Sequence, residues 1–129
     1  MKLPEIIEYS CHMSFEPLSD EKLRLAHRLI DASGLGFDIG EDYLEFDYSG
    51  RDTNRKVTRL LAALASIVGD ASGEAQCTLA WEDSDATFEF YSIKNHRLMR
   101  QKAHIVREPE EVAYSPDDVP VQELVPTAA

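Results

Sequence analysis

Cysteine is scarce in this 129-residue chain: only Cys11 and Cys77 occur, with no Cys-x-x-Cys pair. That excludes a disulfide framework and a thiolate zinc site, and it suits two free, buried thiols in a reducing cytoplasm. No apolar run approaches the ~18 residues of a membrane span. The opening Met1 to Glu8 also lacks the basic-then-apolar order of a secretory signal, so a cytoplasmic protein with no membrane contact is expected. Phosphate loops are missing as well. Gly34-Leu35-Gly36 has neither a third glycine nor a preceding strand, and no Gly-Lys-Ser/Thr or Gly-x-Ser-x-Gly occurs. The four histidines, at 12, 27, 96 and 104, show no metal-ligand spacing, so neither metal nor cofactor is expected.

Positive charge is the other shortage. Thirteen Lys and Arg stand against 24 Asp and Glu, for a net charge of -11 and a pI near 4.7. A molecule so acidic repels nucleic acid as a whole, so no direct nucleic-acid binding is expected, and basic partners are favoured. The imbalance is uneven: residues 1–50 carry 4 bases against 11 acids, 51–107 carry 9 against 7, and 108–129 carry none against 6. Lys94 to Arg107 contains no acid at all.

What is present reads as one domain of the usual size, about 100–150 residues. Ile7, Tyr9, Cys11, Met13 and Phe15 alternate with polar residues, the period of a strand with one buried face. Pro17 closes it, and Ser19 then caps a helix to about Ser33, with Leu18 placed to staple against Leu23 and Gly34 suited to the left-handed position beyond. Residues 37–48 read as a small hairpin or a bulged strand. After a turn offering Asp52, Thr53 and Asn54 as caps, Val57, Leu60, Leu61, Leu64, Ala65, Ile67 and Val68 recur at helical spacing until Gly69. An antiparallel meander follows, through Cys77 to Trp81, residues 86–93 and a basic edge strand over 97–106.

The order β-α-β-α-β-β-β predicts an α+β two-layer sandwich: a mostly antiparallel sheet of about five strands with two helices on one face, related to the ferredoxin-like plan. Residues 1–107 form this domain. Residues 108–129, with four of the six prolines set among acids, form an extended or disordered tail in which Val119, Val121, Leu124 and Val125 are suited to docking.

Two groups of residues carry functional expectations. Glu41, Asp42, Tyr43, Glu45 and Asp47, with Glu5 and Glu8 nearby, present carboxylates beside an aromatic, a composition fitted to a basic protein partner. Separately, His12-Met13-Ser14-Phe15 resembles the His-apolar-Ser/Thr-apolar signature of the two-histidine phosphoesterases, although His104-Ile105-Val106-Arg107 lacks the hydroxyl of a second copy. That resemblance implies an alternative phosphate site of His12, Arg100, His104 and Arg107, with paired imidazoles as acid and base.

In size and charge the chain is similar to the small immunity proteins of bacterial toxin systems and to phage-encoded inhibitors. The main expectation is therefore a small acidic intracellular protein-binding module, an inhibitor that neutralises a basic toxin or nucleic-acid-processing protein, with a homodimer through the sheet compatible with it. The alternative is a ferredoxin-like phospho-ligand-binding or phosphoesterase-like domain.

Overall fold

The alternating segment at the start of the chain forms β1 (Ile6–Ser14) in a computed structural model that describes residues 3–52 and 54–118. Helix α1 (Asp20–Ser33) begins where Ser19 Oγ accepts the Lys22 N–H at 3.3 Å, and it ends at Gly34, whose φ of 73° suits a residue without Cβ. Asp20 and Glu21 complement the dipole of the first turn.

The next region corrects the expected strand count. It divides into β2 (Asp38–Ile39) and β3 (Tyr43–Gly50), so among the described residues the sheet has six strands where about five were expected. The division occurs at Gly40. Its N–H donates to the Tyr43 carbonyl at 2.9 Å, and the Tyr43 ring lies where a side chain would stand, 2.1 Å from an ideal Cβ.

Helix α2 (Lys56–Val68) starts against its own dipole, with no acid in its first turn and with Lys56 and Arg59 there, each unfavourable by about 0.3–1 kcal/mol. Two features outweigh this. The Asp52 carboxylate accepts the N–H groups of Lys56 at 2.7 Å and Val57 at 3.4 Å. Val57, Leu61 and Leu64 are fully buried, a transfer contribution of about 1.5–3 kcal/mol each.

Strands β4 (Ser72–Ala80), β5 (Thr87–Lys94) and β6 (Arg97–His104) complete the meander. The turn between β5 and β6 places both Asn95 and His96 at positive φ, the primed geometry that matches strand twist. The sheet order is β2-β3-β1-β4-β5-β6, and every paired neighbour is antiparallel. Basic β6 is an edge, as expected for charge that discourages further pairing.

Register shows which face is covered. Ile7, Tyr9, Cys11 and Met13 of β1 align with Phe46, Leu44, Cys77 and Leu79 of its neighbours and pack with Ala26 and Ile30 of α1 and the apolar stripe of α2. Both helices lie on this one face and pack on each other. The core includes a stacked Phe37–Phe46 pair, with centroids 3.6 Å apart, and both cysteines. After β6, residues 105–118 contain no helix or strand, while Val119, Val121, Leu124 and Val125 lie outside the described residues.

Candidate partner-binding face

Among the described residues no helix covers the opposite face of the sheet, and register assigns its residues. Ser10 stands across from Asp47 on β3 and Gln76 on β4, while His12 stands across from Glu45 and Glu74, and Asp38 across from Glu45. Glu8 lies opposite Thr78. Five carboxylates, those of Glu8, Asp38, Glu45, Asp47 and Glu74, thus share the half of the face between β2 and β4, and no strand position there holds Lys or Arg. Beyond β4 the same face turns apolar at Phe88, Phe90 and Met99 and becomes basic at the corner formed by Lys94 and Arg97.

At the centre of the acidic half is a shallow depression of about 450 Å³ lined by Glu8, Ser10, Asp47, Gln76 and Thr78. Glu8 and Asp47 are diagonal cross-strand neighbours, about 7–8 Å apart at Cα, a gap that one guanidinium or ammonium can span. The Ser10 hydroxyl and, on the β4 side, the Gln76 amide offer further acceptors for the same group.

Of the residues expected to meet a partner, Tyr43, Glu45 and Asp47 fall on this face. Tyr43 donates its hydroxyl to Asp38 Oδ1 at 3.2 Å, and that contact raises the phenol's pKa. Glu41 and Asp42 do not join the face. Their backbone carbonyls accept the N–H groups of Leu18 and Phe15, at 2.7 and 3.0 Å, which ties the β2–β3 turn to the end of the sheet. Asp38, Ser10, Glu74 and Gln76 were not among the expected residues. They become visible only when register is known, because their own strands read simply as polar alternation.

The alternative phosphate residues are not brought together. His12 is exposed on the open face, with Nδ1 3.6 Å from Glu45, whereas His104 pairs with Thr87 on the helix side of β6. Three strand intervals of about 4.8 Å also separate β1 from β6. Arg107 lies beyond β6, its Nε donating to Asp85 at 2.9 Å. Arg100 faces the helix side, 3.7 Å from Glu89 Oε2.

Behind the sheet, a polar cluster fixes the start of α2. Glu89 is only 7% exposed, and its Oε1 accepts from Arg55 Nη2 and from the Tyr91 hydroxyl at 2.6 Å. Burial opposes the Glu89 charge, yet Tyr91 and Arg55 hold the carboxyl below the usual range. Burial likewise opposes the Arg55 charge, and Glu89 raises its pKa regardless. Beside them the Tyr9 hydroxyl lies 2.9 Å from Thr58 Oγ1 and donates to Asp52 Oδ2 at 3.3 Å; burial pushes this phenol up. Every fully buried side-chain polar atom among the described residues has a partner, those of this cluster included.

Among the described residues, no group of three or more His, Cys, Asp and Glu is placed to hold a metal ion, and no helix is long and apolar enough to cross a membrane. Comparison with protein-family models, curated proteins and solved structures found nothing that matches this chain.

Proposed function

We propose that the protein is a small acidic binding module, an inhibitor of the immunity type that seats a basic partner, such as a toxin or a nucleic-acid-processing protein, on the open face of its sheet. The observation that carries this reading is the Ser10 depression, where Glu8 and Asp47 flank a polar floor on a sheet face that no helix of the described residues covers. A cationic side chain entering it exchanges water for charge-assisted hydrogen bonds, while the surrounding carboxylates steer the encounter. The rigid antiparallel sheet holds these groups in place before contact, which lowers the ordering cost of association.

The fold reading extends in the same way. The run β1-α1-β2-β3-α2-β4, with spatial order β2-β3-β1-β4, supports a ferredoxin-like plan that β5 and β6 prolong. Cross-linked affinity capture from the native host, with Asp47→Lys run beside the unmodified chain, tests the function. A basic protein captured by the unmodified chain and lost with the variant supports the reading. Identical captured sets, or none of basic character, oppose it.

A further inference from the structure

Another concavity lies on the helix side of the sheet, beyond the start of α2. It encloses about 430 Å³, within the common range for small-molecule sites of ~300–1,000 Å³, and it lies between Arg55 and the ends of β4, β5 and β6. Its lining sets an indole beside surplus positive charge. One wall is apolar, formed by buried Leu79 and half-buried Trp81, whose ring is oriented by donation from Nε1 to Thr87 Oγ1 at 2.8 Å. The rest of its lining includes the cations Arg55 and Lys102 and the imidazole of His104.

Among the described residues the only acid lining this cavity is Glu89, and its charge is already engaged by Arg55 on one oxygen and faced by Arg100 at 3.7 Å on the other. Arg55 uses Nη2 for its contacts with Glu89 and Tyr91, leaving Nε and Nη1 without a hydrogen bond among the described residues. Lys102 and His104 have no ion pair or hydrogen-bond partner of their own there, and register puts them two positions apart on one strand face, opposite Glu89 and Thr87. In a chain of net charge -11, a concave site with surplus positive charge beside a fixed aromatic plane is an exception to the general composition.

Protection of the β6 edge accounts for cations along that strand. It does not account for the cavity, for the apolar wall, or for Arg55, which comes from a different element. We propose that this cleft binds a small organic anion, with a carboxylate or phosphate head against Lys102, Arg55 and His104 and a flat apolar body along Trp81 and Leu79. The head is held by charge-assisted hydrogen bonds and the body by burial against the indole, so neither part alone reproduces the affinity of the whole.

Trp81 is the chain's only tryptophan, so its fluorescence reports on this cleft alone. Titration of the full chain with phenyl phosphate, benzoate, benzyl alcohol and inorganic phosphate separates the contributions. At least one of the two aromatic anions should change the emission saturably, with an apparent Kd at least tenfold below those of benzyl alcohol and inorganic phosphate; the tighter of the two identifies the head. Lys102→Gln, a change at an exposed edge position, should weaken that binding tenfold or more with the thermal melt retained, and His104→Gln should weaken it in the same direction. No saturable response to either anion overturns the proposal. So does equal response to the neutral alcohol, or unchanged affinity in folded Lys102→Gln.

Discussion

Arg55 donates from Nη2 to Oε1 of Glu89, 34 residues further along the chain, and it does so from a left-handed backbone conformation with φ of 54° immediately before α2. A non-glycine residue accepts that conformation at a cost of about 1–2 kcal/mol. The contact with a buried carboxylate offsets that cost and links the helix start to β5. Replacing Arg55 separates the two effects. Arg55→Ala should destabilise by about 1–3 kcal/mol, because Glu89 loses its hydrogen-bonded cation while Tyr91 still donates to it and Arg100 still faces it. Arg55→Gly should be the more stable variant by about 1 kcal/mol despite losing the same side chain. Urea denaturation measures both, and the reverse order would show that the backbone at this position is unstrained.

Acid should weaken the same linkage. The carboxyl of Glu89 is held below the ordinary glutamate range in the fold, so its contribution is fully present above the unfolded value of 4.5 and is lost as pH falls through the lower folded value. Glu89→Gln carries no such proton linkage. Its stability, measured from pH 6 to pH 3, should fall less steeply than that of the unmodified chain; parallel curves would place the acid sensitivity elsewhere.

The start of α2 makes a second demand on one carboxylate. Asp52 accepts from the backbone of Lys56 and Val57 and from Tyr9, so Asp52→Ala removes a cap and leaves a buried phenol short of one partner. A loss of about 1–3 kcal/mol in chemical denaturation is expected. Asp52→Asn retains an acceptor oxygen and should recover part of it.

Neither thiol should react in the folded protein. Burial pushes Cys11 up to about 12 and Cys77 up to about 11, and both side chains are enclosed, so the thiolate needed for attack is scarce and unreachable. Ellman's reagent at pH 8 should label none in minutes under native conditions and both in guanidinium. Rapid labelling of either one in the native state would mean that the core opens locally.

Residues beyond Arg107 should be dispensable for folding. Val112 and Tyr114, the large apolar residues of the described part of the tail, are 81% and 75% exposed, and no regular element follows β6 among the described residues. A chain ending at Arg107 keeps the pairing with Asp85. Its melting temperature should shift by less than about 4 °C, below the effect of 1 kcal/mol in a domain this size. A larger fall would place stabilising contacts in the remainder of the tail.

The sequence made β1 and both helices legible because each has a strong local period and a terminator: the alternation from Ile7 to Phe15, Ser19 and Gly34 around α1, and the stripe from Val57 to Val68. It left the split at Gly40 open, since a two-residue strand has too few positions to show a period. Glu45 and Asp47 were readable as exposed alternation. Their grouping with Ser10, Glu74 and Gln76 was not, because cross-strand neighbours are set by register between β1, β3 and β4 and no single strand encodes it. The same reason separates His12 from His104: similar local patterns carry no information about which face or which strand interval each will occupy. Nor did Arg55, just before α2, signal Glu89, because the two are 34 residues apart in sequence.

The most direct measurement of the binding account is the association rate between the captured partner and the protein, followed against salt for the unmodified chain and for the double variant Glu45→Lys and Asp47→Lys. Both positions are exposed, so the fold should persist with surface-level changes in stability of about 0.5 kcal/mol or less. The account predicts that the variant associates about tenfold or more slowly at low salt, with a flatter salt dependence, as removal of a steering field requires. An unchanged rate at low salt, in a variant that melts like the unmodified chain, would contradict the assignment of the open acidic face as the partner surface.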